Sequence, residues 1–292
     1  GRGIEIMANE VAKQDVDYTG LAVDNNFIDG LSAQLKIKEQ TGLTFPKDYN
    51  PTNELTAAYL ILKETVDSNH KPVLETCSKN SIASTLLEMV TNGVSMQKKQ
   101  CYPIAYKGKL KCQMSVYGNT CVARRYGLKE INAMCIYEGD KFIYAIENGK
   151  IVVNTHLQDF KNINTDKIIG AYATAVMQDG TVYTEVMNLD MIKKAWSQGY
   201  GGDVHKKFTD QMCMKTVKNR CLKYIIRTYG EATTSEFIDK SDDIESADVV
   251  ADNVAYEIDE QANTEDFTVE ETKEPEKVEG EIVEEDIPAI LQ

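Results

Sequence analysis

The most informative absence in the sequence is that of acidic residues between Glu88 and Glu130. Eight basic residues lie in this interval, in a chain whose formal net charge is −14. They are Lys98, Lys99, Lys107, Lys109, Lys111, Arg124, Arg125 and Lys129. Because a surface without carboxylates does not repel phosphates, we expect this interval to meet a polyanion.

Three further absences exclude other classes of protein. No G-x-x-x-x-G-K-[ST] motif occurs, and the loop at residues 199–202 is too irregular to cradle phosphates, so we predict no ATP-driven mechanism and no cofactor. The sequence leaves a magnesium requirement open.

No signal peptide or membrane-spanning apolar run is present, which predicts a cytoplasmic protein without a membrane partner. The seven cysteines include no CxxC pair and only three histidines accompany them, which favours reduced core thiols over disulfides or zinc.

Charged residues are distributed unequally along the chain. Residues 231–292 contain 22 acidic and 3 basic residues, whereas residues 1–230 contain 24 and 29. The acid-rich, aromatic-poor end cannot bury enough apolar surface to become ordered, so we predict a disordered acidic tail over residues 236–292. This tail is either a solubilising segment or a peptide whose apolar tip docks on a basic-rimmed apolar pocket, on a partner or on the chain's own polyanion-binding groove.

The remaining sequence predicts one α+β domain. Residues 1–25 are polar and are predicted to be disordered, and those before Met7 resemble an expression-tag remnant. Residues 26–235 are predicted to form the core domain, with antiparallel β-hairpins and a small sheet packed on helices. Apolar periodicity predicts helices near 27–38, 53–66, 81–92, 115–126, 188–197 and 204–229. Turn residues predict hairpins at Lys107-Gly108, Asn148-Gly149 and Asp179-Gly180, two strands around Gly139-Asp140, and His156 in a loop.

The hairpin at Lys107-Gly108 is predicted to carry the polyanion site. Alternation across a two-residue turn places six side chains on one face. They are Tyr102, Ile104, Tyr106, Lys109, Lys111 and Gln113. Lysines neutralise phosphates and aromatic rings stack on bases, so this face predicts a site for single-stranded DNA. For any one lysine an ordinary solvated position is the better interpretation, but the complete acid-free run favours DNA binding.

A second basic element is the helix predicted over residues 204–229. It carries seven basic residues and one acid, Asp210, which predicts a phosphate track. Its predicted DNA contacts are Lys206, Lys207, Lys215, Lys218, Arg220 and Lys223. Arg124 and Arg125 end the helix that precedes the sheet, where they would also complement the helix dipole.

Several motifs together resemble the phage RecT family of single-strand annealing recombinases. The resemblance covers roughly residues 50–230. In the first half it lies in Asn92-Gly93, Gln100 through Lys109, Gln113, Tyr117-Gly118 and Arg124 through Gly127. In the second half it lies in Ile168 through the Asp179-Gly180 hairpin, then Met212, Lys215-Thr216-Val217 and Asn219-Arg220.

The resemblance implies ATP-independent annealing of complementary DNA strands by a ring or helical filament, without covalent catalysis. It further implies a β-β-β-α core, a phage exonuclease partner, and a phage or prophage origin in a bacterial host. The apolar tip after the acidic tail resembles the end of bacterial single-strand binding proteins, which suggests such a protein as a further partner. The implied DNA contacts are Lys107, Lys109, Lys111, Gln113 and Tyr117 of the hairpin motif, and Lys215, Asn219 and Arg220 of the helix motif.

Two alternatives remain open. A plain single-stranded DNA binding or protective protein would share the basic face but would not accelerate annealing. A nuclease or other metal enzyme would require clustered carboxylates near the basic groove, and the acid-free interval disfavours it.

Overall fold

A computed structural model of the chain describes residues 17–20, 22–197 and 206–245, and for residues 241–245 it describes the backbone alone. The helices are α1 (Asn25–Gln40), α2 (Pro51–Glu64), α3 (Val73–Thr76), α4 (Lys79–Thr91), α5 (Val116–Arg125), α6 (Leu189–Trp196), α7 (Thr209–Tyr229) and α8 (Ala232–Glu245). The strands are β1 (Cys101–Tyr106), β2 (Lys109–Met114), β3 (Leu128–Tyr137), β4 (Lys141–Glu147), β5 (Lys150–Leu157), β6 (Ile168–Met177) and β7 (Val182–Asn188). The predicted α+β class, with small antiparallel sheets on helices, is confirmed.

The central sheet is built around β6, in the order β3-β6-β7. One face of β6 presents Ala171, Ala173 and Ala175, all fully buried, and α7 packs against β6. Small side chains allow a helix to approach a strand closely, so the three alanines set the depth at which α7 lies. The opposite face presents Tyr172, whose ring packs on the β4–β5 hairpin through Phe142.

The hairpin β1–β2 forms with the predicted turn and register. Tyr106 pairs with Lys109, and both Lys107 (φ +49°) and Gly108 (φ +71°) adopt positive φ. Positive φ at both central residues is the requirement of the two-residue turn that matches strand twist. The predicted turns Asn148-Gly149 and Asp179-Gly180 also join antiparallel neighbours, whereas β3 and β4, on either side of Gly139-Asp140, belong to different sheets. All seven cysteines are free thiols.

One predicted helix start is wrong. The helix predicted to be capped by Asn53 begins at Pro51 instead, and the side chain of Asn50 accepts a hydrogen bond from the Asn53 amide. Proline is favoured in the first helical turn because its missing N–H has no partner there anyway. Ser78, Ser115 and Asn188 cap α4, α5 and α6, and each of these helices begins close to its predicted start.

The predicted disorder at both ends is partly wrong. Tyr18 is buried against Phe27, and its amide donates to the Asn80 side chain. Residues 236–245 continue α8, because Phe237 and Ile238 are apolar anchors that join the main core despite their acidic surroundings. Residues 1–16 and 246–292, where the other predicted disorder falls, lie outside the described residues.

The prediction that His156 lies in a loop is also wrong. His156 is in β5, where its Nε2 lies 3.2 Å from Asp140 and its Nδ1 lies 3.2 Å from the Tyr172 hydroxyl. Asp140, fully buried, also accepts hydrogen bonds from Gln158 and Asn162 and from the Tyr137 amide. The carboxylate therefore joins the β3–β4 turn to the end of β5.

Burial by itself would raise the pKa of Asp140, but the hydrogen bonds from Gln158, the Tyr137 amide, His156 and Asn162 outweigh it and lower the pKa below its ordinary value. A carboxyl group whose folded-state pKa is lowered stabilises the fold above its unfolded pKa. That contribution is lost as the pH falls through the folded-state value.

We predict that Asp140→Asn lowers the free energy of unfolding by roughly 1–3 kcal/mol at neutral pH, because an amide cannot accept all these hydrogen bonds. The variant should also lose less stability than the wild type when the pH is taken below about 4. Urea denaturation at several pH values measures both effects. The exposed Asp166→Asn is the matched control, and equal stability of the two variants would contradict the prediction.

Candidate nucleic-acid interface

The tip of the β1–β2 hairpin is a compact group of cations around one ring. Lys107 and Lys109 are exposed and Lys111 is half-buried. The Nζ atoms of Lys107 and Lys111 lie 5.0 Å and 5.6 Å from the centre of the Tyr106 ring. Cations at such distances are attracted by the ring quadrupole, so the tip presents positive charge beside an aromatic surface.

The base of the hairpin differs from the prediction of one exposed face. Ile104 and Gln113 are buried, at 1% and 6% exposure, and Tyr102 is half-buried. Strand alternation correctly predicts which side chains lie on the same face of the hairpin. It does not predict which other parts of the protein cover that face. Gln113 is therefore not accessible to a DNA strand, and the accessible part of the predicted face is its tip.

Helix α5 is held tightly against the base of the hairpin. A side chain at Gly118 would place its Cβ 2.0 Å from the Gln100 carbonyl oxygen, so only glycine fits there. The Ser115 hydroxyl caps α5 and donates to the Lys99 carbonyl at 2.7 Å. In the first turn of this helix Tyr117 is 52% exposed, as a stacking residue requires.

Helices α5 and α7 lie side by side and point the same way. Near their middles, the Asn119 amide donates to the Asn219 side-chain oxygen at 3.1 Å. Beyond their ends, the Tyr126 ring packs close to Gly230. Asn219 is buried in this contact, so the DNA contact that the resemblance implied for it is not available. Its role is to join the two helices.

The parallel arrangement places several predicted cations towards the ends at which the two helices begin. Lys215 lies one turn before Asn219 and is thus level with the start of α5, whose cap Ser115 touches the Lys99 backbone. Lys206 and Lys207 precede α7, where Phe208 interrupts the predicted continuous helix and offers no oxygen as a cap. Helix N-termini carry partial positive charge, which adds to these lysines.

Two predicted arginines make directed contacts within the protein. The Arg125 guanidinium donates to the carbonyls of Asn92 and Gly93, which end α4. Arg220 forms a 2.9 Å ion pair with Glu185 of β7. These two arginines therefore connect secondary-structure elements, although both are largely exposed, as is Arg124. Lys98 is exposed, and Lys218 and Lys223 are half-buried.

A tyrosine cluster beside Arg220 was missed in the sequence. Tyr183 packs on Tyr224 and Tyr229, with ring centres 5.3 Å and 6.4 Å apart, and the latter two rings are about half exposed. The hydrogen bond between the Tyr183 and Tyr229 hydroxyls raises the pKa of Tyr183 to about 12. The sequence signal for this cluster was that Tyr224 directly follows the basic residue Lys223. The partner of Tyr224, Tyr183, lies in a strand that is distant in the sequence.

The described residues contain no group of three or more histidine, cysteine or acidic side chains that could hold a metal ion. Within the same residues, no helix is long and apolar enough to cross a membrane.

An α+β fold with a basic hairpin tip and a basic helix is suited to binding a nucleic acid strand. Comparison with known families agrees with this class, because the model of the RecT family matches residues 52–251, more than half of the chain. The chain belongs to the RecT family, and this membership implies single-strand annealing in recombination. A search of curated proteins finds no match to the chain.

We predict different outcomes for the two neighbouring arginines of α5. Arg125→Ala should lower the free energy of unfolding by about 1–3 kcal/mol, because the helix-ending carbonyls lose a charged donor. Arg124→Ala, the matched control, should change it by less than about 0.5 kcal/mol. Urea denaturation of both variants is the measurement, and equal losses would contradict the structural role given to Arg125.

Proposed function

We propose that the chain binds single-stranded DNA through the hairpin tip and the end of the molecule where α5 and α7 begin, and anneals it to a complementary strand. The contacts that we assign to phosphates are Lys98, Lys99, Lys107, Lys109, Lys111, Lys206, Lys207 and Lys215, with Tyr106 and Tyr117 as stacking surfaces. Lysines are point charges that neutralise phosphates without reading bases. Watson–Crick pairing then supplies all sequence discrimination.

The observation that carries the proposal is the connection between the two basic regions. Strand β2 leads into α5 through Ser115 alone, and α5 is bonded to α7 through Asn119 and Asn219. The hairpin and the basic helix are therefore parts of one rigid arrangement. A strand that contacts both is held extended, with its bases available to a second strand.

We further propose that annealing requires no ATP and changes no covalent bond, so that the protein is not an enzyme in the strict sense. A homo-oligomer, as a ring or filament, would align many short sites into one track. A phage exonuclease and a host single-strand binding protein are the proposed protein partners, in a bacterial cytoplasm. Family membership supports these proposals, and each needs its own test.

A plain binding or protective protein is the main alternative. It would use the same lysines, but it would shield strands from each other and slow duplex formation.

We predict that Lys109→Glu combined with Lys111→Glu weakens binding to oligonucleotides of any sequence by at least about tenfold at low salt, because attraction to phosphates becomes repulsion. The plot of log affinity against log salt should flatten by about 0.7 for each phosphate that is no longer neutralised. Fluorescence anisotropy measures both quantities. Lys141→Glu with Lys150→Glu, an equal charge change at exposed positions of the β4–β5 hairpin, is the control. Equal effects of both pairs would remove the β1–β2 tip from the site.

We predict that the protein accelerates duplex formation between complementary labelled strands, equally with and without ATP. The loss of donor fluorescence on pairing is the measurement, with non-complementary strands as the control. Binding without acceleration would favour the protective protein instead.

A further inference from the structure

Helix α8 places the start of the acidic tail along the basic hairpin. The helix packs against β2, and its buried residues Phe237 and Ile238 join the main core. Arg227 of α7 forms an ion pair with Asp239, and Lys240 forms one of 2.7 Å with Glu88 of α4. The tail is thus anchored to the domain before it leaves the described residues.

The direction of α8 follows from two of its side-chain contacts, one with Tyr126 and one with α4. Near its first turn, Thr234 lies 3.2 Å from the Tyr126 hydroxyl, beside the Arg125 that touches the end of α4. Further along, Lys240 reaches Glu88, one turn back from that end. The helix therefore runs from the end of α4 towards its beginning.

The hairpin tip lies at that beginning. The Ser78 amide donates to the Gly108 carbonyl at 2.9 Å, and the Leu110 amide donates to the Ser81 hydroxyl at 2.9 Å. At 1.5 Å per residue, Ser81 is about 10 Å along α4 from Glu88, and the end of α8 is about 7 Å beyond Lys240. The chain consequently leaves α8 close to the level of the lysine-bearing tip.

The segment that follows is complementary in charge to this tip. Residues 246–292 contain 16 acidic residues and two lysines. A chain can span up to about 3.3 Å per residue, so a segment of this length is long enough for its charges to reach the tip. Tethering gives them an effective concentration on the order of millimolar there.

We propose that the acidic segment 246–292 occupies the lysines of the hairpin tip when DNA is absent and competes with single-stranded DNA for them. This regulation rests on the proposed function, because it acts on the same cations. A tail that binds the tip with a dissociation constant on the order of 0.1 mM would weaken DNA binding about tenfold. Since Lys107 and Lys109 are solvent-exposed, the inhibition should fade as salt shortens the Debye length.

The test is a full-length variant in which every Asp and Glu of residues 246–292 is replaced by Asn or Gln. Its affinity for labelled oligo(dT), compared with the wild type at 50 mM salt, should rise about tenfold. The ratio should fall towards one by 300 mM salt. A chain that ends at Glu245 keeps α8 and should show the same gain. A synthetic peptide of residues 246–292 should displace oligo(dT) from that shorter chain.

Equal affinity of the neutralised variant and the wild type at 50 mM salt would overturn the inference while leaving DNA binding intact. A gain on deletion without a gain on neutralisation would also overturn it, because bulk and not charge would then be the cause. Failure of every form to bind oligo(dT) would instead overturn the proposed function. If the segment serves a protein partner alone, the added peptide will not displace oligo(dT), and the inference fails.

Discussion

The contact between α5 and α7 is the constraint on which the arrangement of the basic regions depends. Its centre is a buried hydrogen bond between two side-chain amides, Asn119 and Asn219. Removal of either amide would leave the other polar group buried without that partner, at a cost of roughly 1–3 kcal/mol. The bond thereby fixes the axial position of α5 on α7. Because β2 continues directly into α5, it also determines where the hairpin lies.

Three arginines and the lysines of the hairpin tip play different roles in the fold. Arg125, Arg220 and Arg227 make directed contacts with carbonyl or carboxylate oxygens of neighbouring elements. The planar guanidinium is suited to this, because it presents several donors in a fixed geometry. The exposed hairpin tip carries lysines, whose compact charge imposes little geometry on a ligand. A surface of this composition is compatible with any base sequence, as an annealing protein requires.

Local signals made much of the fold predictable. Lys107-Gly108 and the alternation beside it determined a turn and a register, because both depend on neighbouring residues alone. The burial of Ile104 and Gln113 was not predictable, since it depends on what packs over the strands. The same applies to His156, whose partners Asp140 and Tyr172 come from elsewhere in the sequence. The acidic composition after residue 235 similarly led to a prediction of disorder, although Phe237 and Ile238 are buried in the core and order α8.

The positive φ of Lys107 places a charged residue where asparagine or glycine would be less strained. A non-glycine residue in this left-handed region carries about 1–2 kcal/mol of backbone strain. A library selected for heat resistance alone would therefore exchange this lysine for asparagine or glycine and gain melting temperature. The same exchange would remove a cation from the apex of the ribbon. Thermostability and affinity for a polyanion thus oppose each other at a single position of the chain.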